Sequence, residues 1–346
     1  MTSVWNFLKT FRVGCSDVYL NSVEKQSMLS KAMNDYVPVC HPLLLNRELL
    51  PAALRPAYSI LLEAYQKNVN NVRLPLPDGA SRDELGHIHS AVLNDNPALF
   101  YIGGFSYTSG KNPVVYPKYV FVESERETYT AKINSKIKDI VSHAPLGSFA
   151  REKYVNDYLL STVRYGVAKD KTRAHSIIGA LIDGMAVCEG ISKATSLLLN
   201  SMNVSCCVVT GKFNDAPHAW NVVEVAGERY HLDVTNNGDV LLKDSYFNLS
   251  DRLVSKTHRF ESAFGCIDET RAYGGRAYLL SSKEVSAFLR GFMVSGDRLA
   301  MIAVTNYSES LFNKDIELAM RLCGSSISCR CAANEKAGLY AVERVR

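Results

Sequence analysis

The chain has 346 residues, 39 Lys and Arg against 35 Asp and Glu for a formal charge of +4, and 47% hydrophobic residues. That is enough apolar material for two or three globular domains, and the weak charge, with no long run of either sign, gives no reason to expect nucleic acid or a lipid surface as partner. Nine cysteines, Cys15, Cys40, Cys188, Cys206, Cys207, Cys266, Cys323, Cys329 and Cys331, are odd in number and lack paired C-x-x-C spacing, which argues for free thiols in a reducing compartment and against a zinc site.

Residues 1 to 40 read as a lead-in that opens with a short apolar helix. Its first thirteen residues are interrupted by Asn6, Lys9, Thr10 and Arg12 and do not have the form of a signal peptide. The mild amphipathy of residues 4 to 13 suits a peripheral anchor or partner helix only weakly. No stretch approaches the roughly 20 apolar residues of a membrane span, so a cytoplasmic protein is expected.

Leu54, Tyr58, Leu61, Leu62 and Tyr65 recur at helical spacing, and residues 74 to 79, rich in Pro and Gly, read as a linker. Ser81 with Glu84 three residues later forms a capping box that opens a helix ended by Asn96-Pro97. Residues 99 to 105 and 114 to 122 read as a hairpin, and Ala131, Ile133, Ile137, Ile140 and Val141 as an amphipathic helix. Two apparent motifs in this stretch fail on mechanism. Around Lys111 a phosphate loop would need glycine at Phe105 and a hydroxyl at Asn112. His87 and His89 are two residues apart on a helix and cannot share one ligand face. A boundary near 145 closes an N-terminal accessory α+β module, 1–145.

A helix over residues 151 to 165 carries Tyr154, Val155, Tyr158, Leu159 and Val163 on one face. A turn at Asp183-Gly184 then leads to Cys188, which precedes the apolar stripe Ile191, Ala194, Leu198, Leu199 and so lies at a helix N-terminus. Free N–H groups and the positive end of the helix dipole favour thiolate there. After a strand over 204 to 213 and a loop at Asn214-Asp215-Ala216-Pro217, two strands, 219 to 225 and 229 to 235, form a second hairpin. Alternation puts Val223, Val225, Tyr230, Leu232 and Val234 on one face, leaving His218, Trp220, His231 and Asp233 on the other. With Ala226-Gly227 as the two-residue loop, Asp233 falls opposite Trp220 and diagonal to His218; with Gly227-Glu228 they stand one step further apart. His231 is the rival for the base.

Gly184-Met185-Ala186-Val187-Cys188-Glu189-Gly190, then His218-Ala219-Trp220-Asn221, then Tyr230-His231-Leu232-Asp233-Val234-Thr235 resemble, in that order, the core words of the transglutaminase-like superfamily, above all its bacterial members. The resemblance covers roughly residues 148 to 260. It implies a papain-like α+β fold in which a helix bearing Cys packs on an antiparallel sheet bearing His and Asp, with Cys188 as nucleophile, His218 as base and Asp233 as its orienter. Trp220, Glu189 and Gly190 fall beside the cleft. The chain departs from the pattern at Ile191, where Tyr is usual, at Asn236, where Trp is common, and at Asn156, where His is common.

The domains expected are thus 1–145, a catalytic core at 146–282, and a small C-terminal α/β extension at 283–346 that either stands alone or extends the core sheet. The expected activity is cysteine-dependent acyl transfer on a peptide or glutamine carboxamide through a thioester, with hydrolysis favoured over amine transfer. No cofactor or metal is expected, and the partner is a protein or peptide substrate. The rival is an inactive scaffold that keeps the fold for protein binding.

Overall fold

The computed structural model describes residues 43 to 167, 170 to 323 and 328 to 345. The expected lead-in helix, its amphipathic residues 4 to 13, Cys15 and Cys40 lie outside the described residues.

Helices α1 (Leu45–Leu49) and α2 (Arg55–Gln66) come first, α2 carrying Pro56 in its first turn, where a missing N–H costs nothing. Strand β1 (Val72–Arg73) follows. The stretch read as a linker is instead packed: Leu74 and Leu76 are buried in the core with Tyr58, Leu61 and Leu85. Helix α3 (Arg82–Asp95) opens on the Ser81–Glu84 capping box, both of whose hydrogen bonds form. Strands β2 (Ile102–Tyr107) and β3 (Val114–Tyr119) make the expected hairpin, and β1 completes a sheet of order β1-β3-β2. Helix α4 (Glu123–Ser142) starts about two turns earlier than its apolar stripe suggests, because Glu125 accepts from the Val122 N–H and caps that end. Its Ile133, Ile137 and Ile140 share one core with Val155, Leu159 and Leu198, so packing runs across residue 145 without a break.

Beyond it come α5 (Ser148–Thr162), β4 (Arg164–Tyr165), the short α6 (Lys171–Ala174), a π turn over Gly179–Asp183, β5 (Met185–Ala186) and α7 (Cys188–Ser201). Helix α7 lies against the middle of a five-stranded antiparallel sheet. Its strands are β6 (Cys206–Phe213), β7 (Ala216–Val225), β8 (Glu228–Leu232), β9 (Phe247–Leu249) and, after helix α8 (Asp251–Val254), β10 (His258–Arg259), in the order β10-β6-β7-β8-β9. This is the α+β arrangement of a helix on an antiparallel sheet.

The register decides the geometry of the site. Val225 pairs with Glu228, so the loop is Ala226-Gly227, both with positive φ, and the pair Asn221–Leu232 places Asp233 one step beyond, toward Trp220. Two details differ from the sequence reading. Asn214 and Asp215 alone make the preceding turn, both in the left-handed region their short polar side chains tolerate, so β7 begins at Ala216 and His218 sits inside the strand, opposite Gly211. At the other end β8 stops at Leu232, and Val234–Asn236 curl into a 3-10 turn that carries Asp233 inward.

The tail forms a separate sheet and does not extend the core one. Strand β11 (Ala277–Leu280) runs parallel to β12 (Leu299–Val304); helices α9 (Ser282–Val294) and α10 (Glu309–Leu322) pack on one side, and β13 (Ser328–Asn334) and β14 (Leu339–Val345) complete the order β11-β12-β14-β13. It starts at Ala277, ahead of residue 283. Its other face buries Met301, Leu339 and Ala341 against Tyr246, Leu249 and Tyr273. Among the described residues no helix is long and apolar enough to cross a membrane.

Candidate functional site

Cys188 is the first residue of α7. Gly184, at φ +67, ends the π turn in a conformation that glycine adopts without strain. The short β5 follows, and the Val187 N–H is held by the Ala174 carbonyl at 3.1 Å, so the chain enters the helix along a fixed line. Gly190 lets that entry close: a Cβ there would overlap the Ala174 carbonyl oxygen and lie 2.9 Å from that of Ser176. One turn on, Ser192 Oγ is 2.8 Å from the Cys188 carbonyl and 2.9 Å from that of Ala219, its one proton serving both, while Asn221 Nδ2 donates to the Ser192 carbonyl at 2.9 Å. These bonds tie the first turn of the helix to the strand residue after His218. The thiol is partly exposed.

Across from it, His218 Nε2 lies 2.9 Å from Asp233 Oδ2. That oxygen also meets His258 Nε2 at 3.2 Å and accepts from Asn236 Nδ2 at 2.6 Å. Asp233 is 1% exposed, and its Oδ1 has no hydrogen-bond partner among the described residues, so its charge is served through one oxygen only. Burial alone would push this carboxyl up, but the hydrogen bonds and charges of His218 and His258 hold it well below the usual carboxylate range. His218 answers in the opposite sense. Burial would lower it, but Asp233 and Cys188 raise it to about 9. For Cys188, burial opposes ionisation and is outweighed by the hydrogen bond with His218, the N–H groups of Ala219 and Glu189, and the charge on His218, which together hold the thiol below its ordinary value. Each group thus favours the charged form of the next. By contrast, burial pushes the Cys206 and Cys207 thiols far up, where they are inert.

A second relay lies behind the first. The His218 and Trp220 rings stack at 6.0 Å between centroids, 12° from parallel. Trp220 is 0% exposed and donates from Nε1 to His231 Nδ1 at 2.9 Å; His231 Nε2 lies 2.7 Å from Asp251 Oδ1, and the N–H groups of Phe264, Gly265 and Cys266 also point at that carboxylate. Trp220 therefore backs His218 and, being fully buried, offers no surface to a ligand. His231 is set apart from the base's position by its own partners. Gly211 gives the ring room, since a Cβ there would meet both Trp220 and the Arg259 backbone of β10.

Two groups of side chains among the described residues lie close enough to share an ion: His218, Asp233 and His258, and His231, Asp251 and Cys266. In the second, indole N–H can only donate, so His231 Nδ1 is the acceptor and Nε2 carries the ring proton that faces Asp251. That nitrogen has no lone pair to give a metal. In the first, both imidazoles spend Nε2 on the same carboxylate oxygen.

Of the other residues expected at the cleft, Glu189 keeps a half-buried carboxylate held by His175 Nδ1 at 2.8 Å and Lys193 Nζ at 2.6 Å. Gly190 is buried by the backbone it packs against. The three departures from the resemblance also turn inward. Ile191 is 5% exposed in the core, Asn156 links α5 to Asn237 at 3.0 Å, and Asn236 feeds the Asp233 carboxylate. Sequence reasoning missed Ser192 and His258. His258 stands 25 residues after Asp233 and sits in no periodic run that would mark it.

Known proteins resemble the chain only distantly. No family model matches the chain, and no curated protein does. Among solved structures the chain is similar to a TGase at 12% identity and TM-score 0.32, covering 61% of this chain and 59% of that one. It is also similar to a protein from Cytophaga hutchinsonii described as a "putative cysteine protease", at 15% identity and TM-score 0.27 over 31% of this chain and 37% of that one. A third, described as a "putative protease" from Parabacteroides distasonis, gives 9% identity and TM-score 0.26 over 61% and 48%. The chain thus spans less than two thirds of each. Likenesses this distant carry no argument about the chain's chemistry.

Proposed function

We propose that the protein is a cysteine-dependent acyl-transfer enzyme acting on a peptide or glutamine carboxamide, with hydrolysis as the outcome. The observation that carries the reading is the His218–Asp233 pair, 2.9 Å apart and buried, with His218 on the strand that Ser192 ties to the first turn of the Cys188 helix. Nε2 is engaged by Asp233, which leaves Nδ1 for the sulfur. The Cys188 thiolate attacks the carbonyl carbon, a C–S bond forms, and the π electrons move to oxygen. The N–H of Cys188, one of the first-turn donors left free by the helix, faces that oxygen. His218, protonated below about pH 9, gives its proton to the amine, which leaves as the C–N bond breaks and a thioester remains. Water then attacks the thioester, His218 takes its proton, and the sulfur departs as thiolate. Asp233 keeps the imidazolium stable and its ring fixed throughout.

The test is a pool of Gln-containing peptides incubated with the full chain, with and without a lysine donor, and read by mass spectrometry. Cleaved or deamidated products that vanish in Cys188→Ala support the reading. A mass gain only with the lysine donor moves it to amine transfer. No product, together with a Cys188 no more reactive toward iodoacetamide than a free thiol, leaves a binding scaffold instead.

A further inference from the structure

In the sheet of order β1-β3-β2, strand β2 (Ile102–Tyr107) is an edge, and among the described residues no strand pairs with its other side. The pairing with β3 fixes which groups that edge presents. The Thr108 N–H bonds the Val114 carbonyl at 3.0 Å, and in an antiparallel pair alternate residues turn to the partner. Ser106 therefore bonds Tyr116, while Phe105 and Tyr107 point their N–H and C=O groups away from β3. Pro117, which has no N–H to give, stands opposite Phe105, where none is needed. The rings of Phe105 and Tyr107 pack against the core that holds Leu85 and Ile88, so what this edge offers outward is main chain. Natural proteins blunt such edges with charge or proline; Ile102-Gly103-Gly104-Phe105-Ser106-Tyr107 carries neither.

The open edge borders a hollow of about 760 Å³, bounded on one side by residues 103 to 107 and on the other by Arg82, Gly86 and Ser90 of α3. Two of its glycines answer to nothing within the chain. A Cβ at Gly86 or at Gly104 would meet no atom within 4 Å, and neither residue has positive φ. Gly86 lies inside a helix, where only proline is a poorer choice, and a glycine inside a strand marks a place that another backbone approaches closely. At Gly103 this hollow meets a second one, of about 370 Å³, which passes Leu93, Leu99 and Phe100 and reaches Lys193 and Glu189. Glu189 is the residue after Cys188, so the open edge and the first turn of the nucleophile helix border one continuous surface.

We infer that β2 is a docking edge: an extended segment of the polypeptide substrate lies in the larger hollow, adds to the sheet as a further strand bonded to Phe105 and Tyr107, and leads along the smaller hollow toward Cys188. Strand addition draws its affinity from main-chain bonds, so it suits a chain that can be drawn out straight, whatever its sequence. That the segment is substrate rests on the acyl-transfer reading; the pairing itself does not.

The test uses the full chain carrying Cys188→Ala, so that nothing is turned over, and a fluorescein-labelled, blocked peptide of alternating Thr and Gln. Main-chain groups make the bonds, so the probe needs no special sequence. Binding is read by fluorescence anisotropy and amide exchange by NMR. With saturating peptide the Phe105 and Tyr107 amides are expected to exchange at least about tenfold more slowly, while Ser106, already bonded to β3, stays as it was. Gly86→Leu fills the hollow from a position where the first added carbon meets nothing, and is expected to weaken binding at least about tenfold, Gly86→Ala by less than about threefold. Absence of binding overturns the inference. So does binding that leaves the Phe105 and Tyr107 amides unprotected, because the peptide then sits elsewhere, and so does a Gly86→Leu chain, folded by circular dichroism, that binds as tightly as its parent. Should Gly86→Leu not fold, the exchange rates alone decide. The chain with Cys188 intact, given the same peptide, reports on the chemistry separately. Protected amides without cleaved or deamidated product keep the docking edge and overturn the acyl-transfer reading; product without protection does the reverse.

Discussion

Replacing Asp233 with Asn keeps the shape of the side chain and removes its charge, and the structure sets the size of the effect. His218 is raised from an ordinary 6.5 to about 9, on the order of 3 kcal/mol in favour of the imidazolium. The side chain is only 7% exposed, so solvent screens little of this. The hydrogen bond from Asp233 is the largest of the effects that raise it, ahead of that from Cys188, and together they overcome the burial that would lower it. Asp233 therefore does more than Cys188 to hold the imidazolium. Without it the imidazolium is lost at a lower pH, and the thiolate it holds becomes a thiol. The assay is the pH dependence of iodoacetamide alkylation of Cys188. Its acidic limb is expected to move up by more than about one unit in Asp233→Asn, with a fall of at least about tenfold in rate at pH 6. A limb that stays where it is in the wild type would refute the claim that the buried carboxylate arms the pair.

Three further outcomes follow from neighbouring groups. Burial raises Glu152 in α5 to about 8 from 4.5, so the unfolded chain gives up this proton first as pH rises and stability is lost between those two values; in urea denaturation Glu152→Gln should match the wild type in unfolding free energy near pH 4 and exceed it by roughly 2 to 4 kcal/mol near pH 8. Gly190→Ala forces a methyl onto the carbonyls of Ala174 and Ser176 and should cost about 3 kcal/mol in urea denaturation, with the first turn of α7 the first segment to lose amide protection. His258→Leu removes one of three groups on Asp233 Oδ2, and the loss of a hydrogen bond to a buried charge, about 1.5 to 3 kcal/mol, should weaken alkylation at pH 6 roughly tenfold; His258→Gln, which can still donate, should recover most of it.

Much of the architecture could be read from the residues because local rules and the fold agree. The capping box at Ser81 and the two-residue period of the strands were each sufficient to place an element or its face, while the choice between Ala226-Gly227 and Gly227-Glu228 as the hairpin loop waited on the register. The tail was read only in part, since its apolar runs suit an independent sheet as well as an extension of the core, and only pairing of β12 with β14 decides. Where the reading fell short, the cause was long-range contact. Leu74 and Leu76 looked like linker because Pro and Gly surround them, and tertiary burial overrode that signal. His258 sits in a strand of two residues, too short for any period, and reaches Asp233 only because β10 closes on the far end of β6. Ser192 resembles any serine in an apolar helix until the strand carbonyl of Ala219 is seen beside it. The Asn214-Asp215 turn was legible in principle, since two residues that tolerate the left-handed region stood side by side between two strands.

The late arrival of β10 also orders the assembly of the molecule in time. Asp233 is sunk in the protein with only one of its oxygens partnered, and the imidazole that shares that oxygen with His218 is supplied by a strand made 25 residues later. A polypeptide still being synthesised can carry residues 188, 218 and 233 outside the ribosome, yet it lacks the last clamp on the acid until residue 258 has emerged and docked. A chain cut short before that point would keep every residue of the three motifs and still hold a poorly set base. The setting of Asp233 thus depends on a strand that none of the three motifs contains.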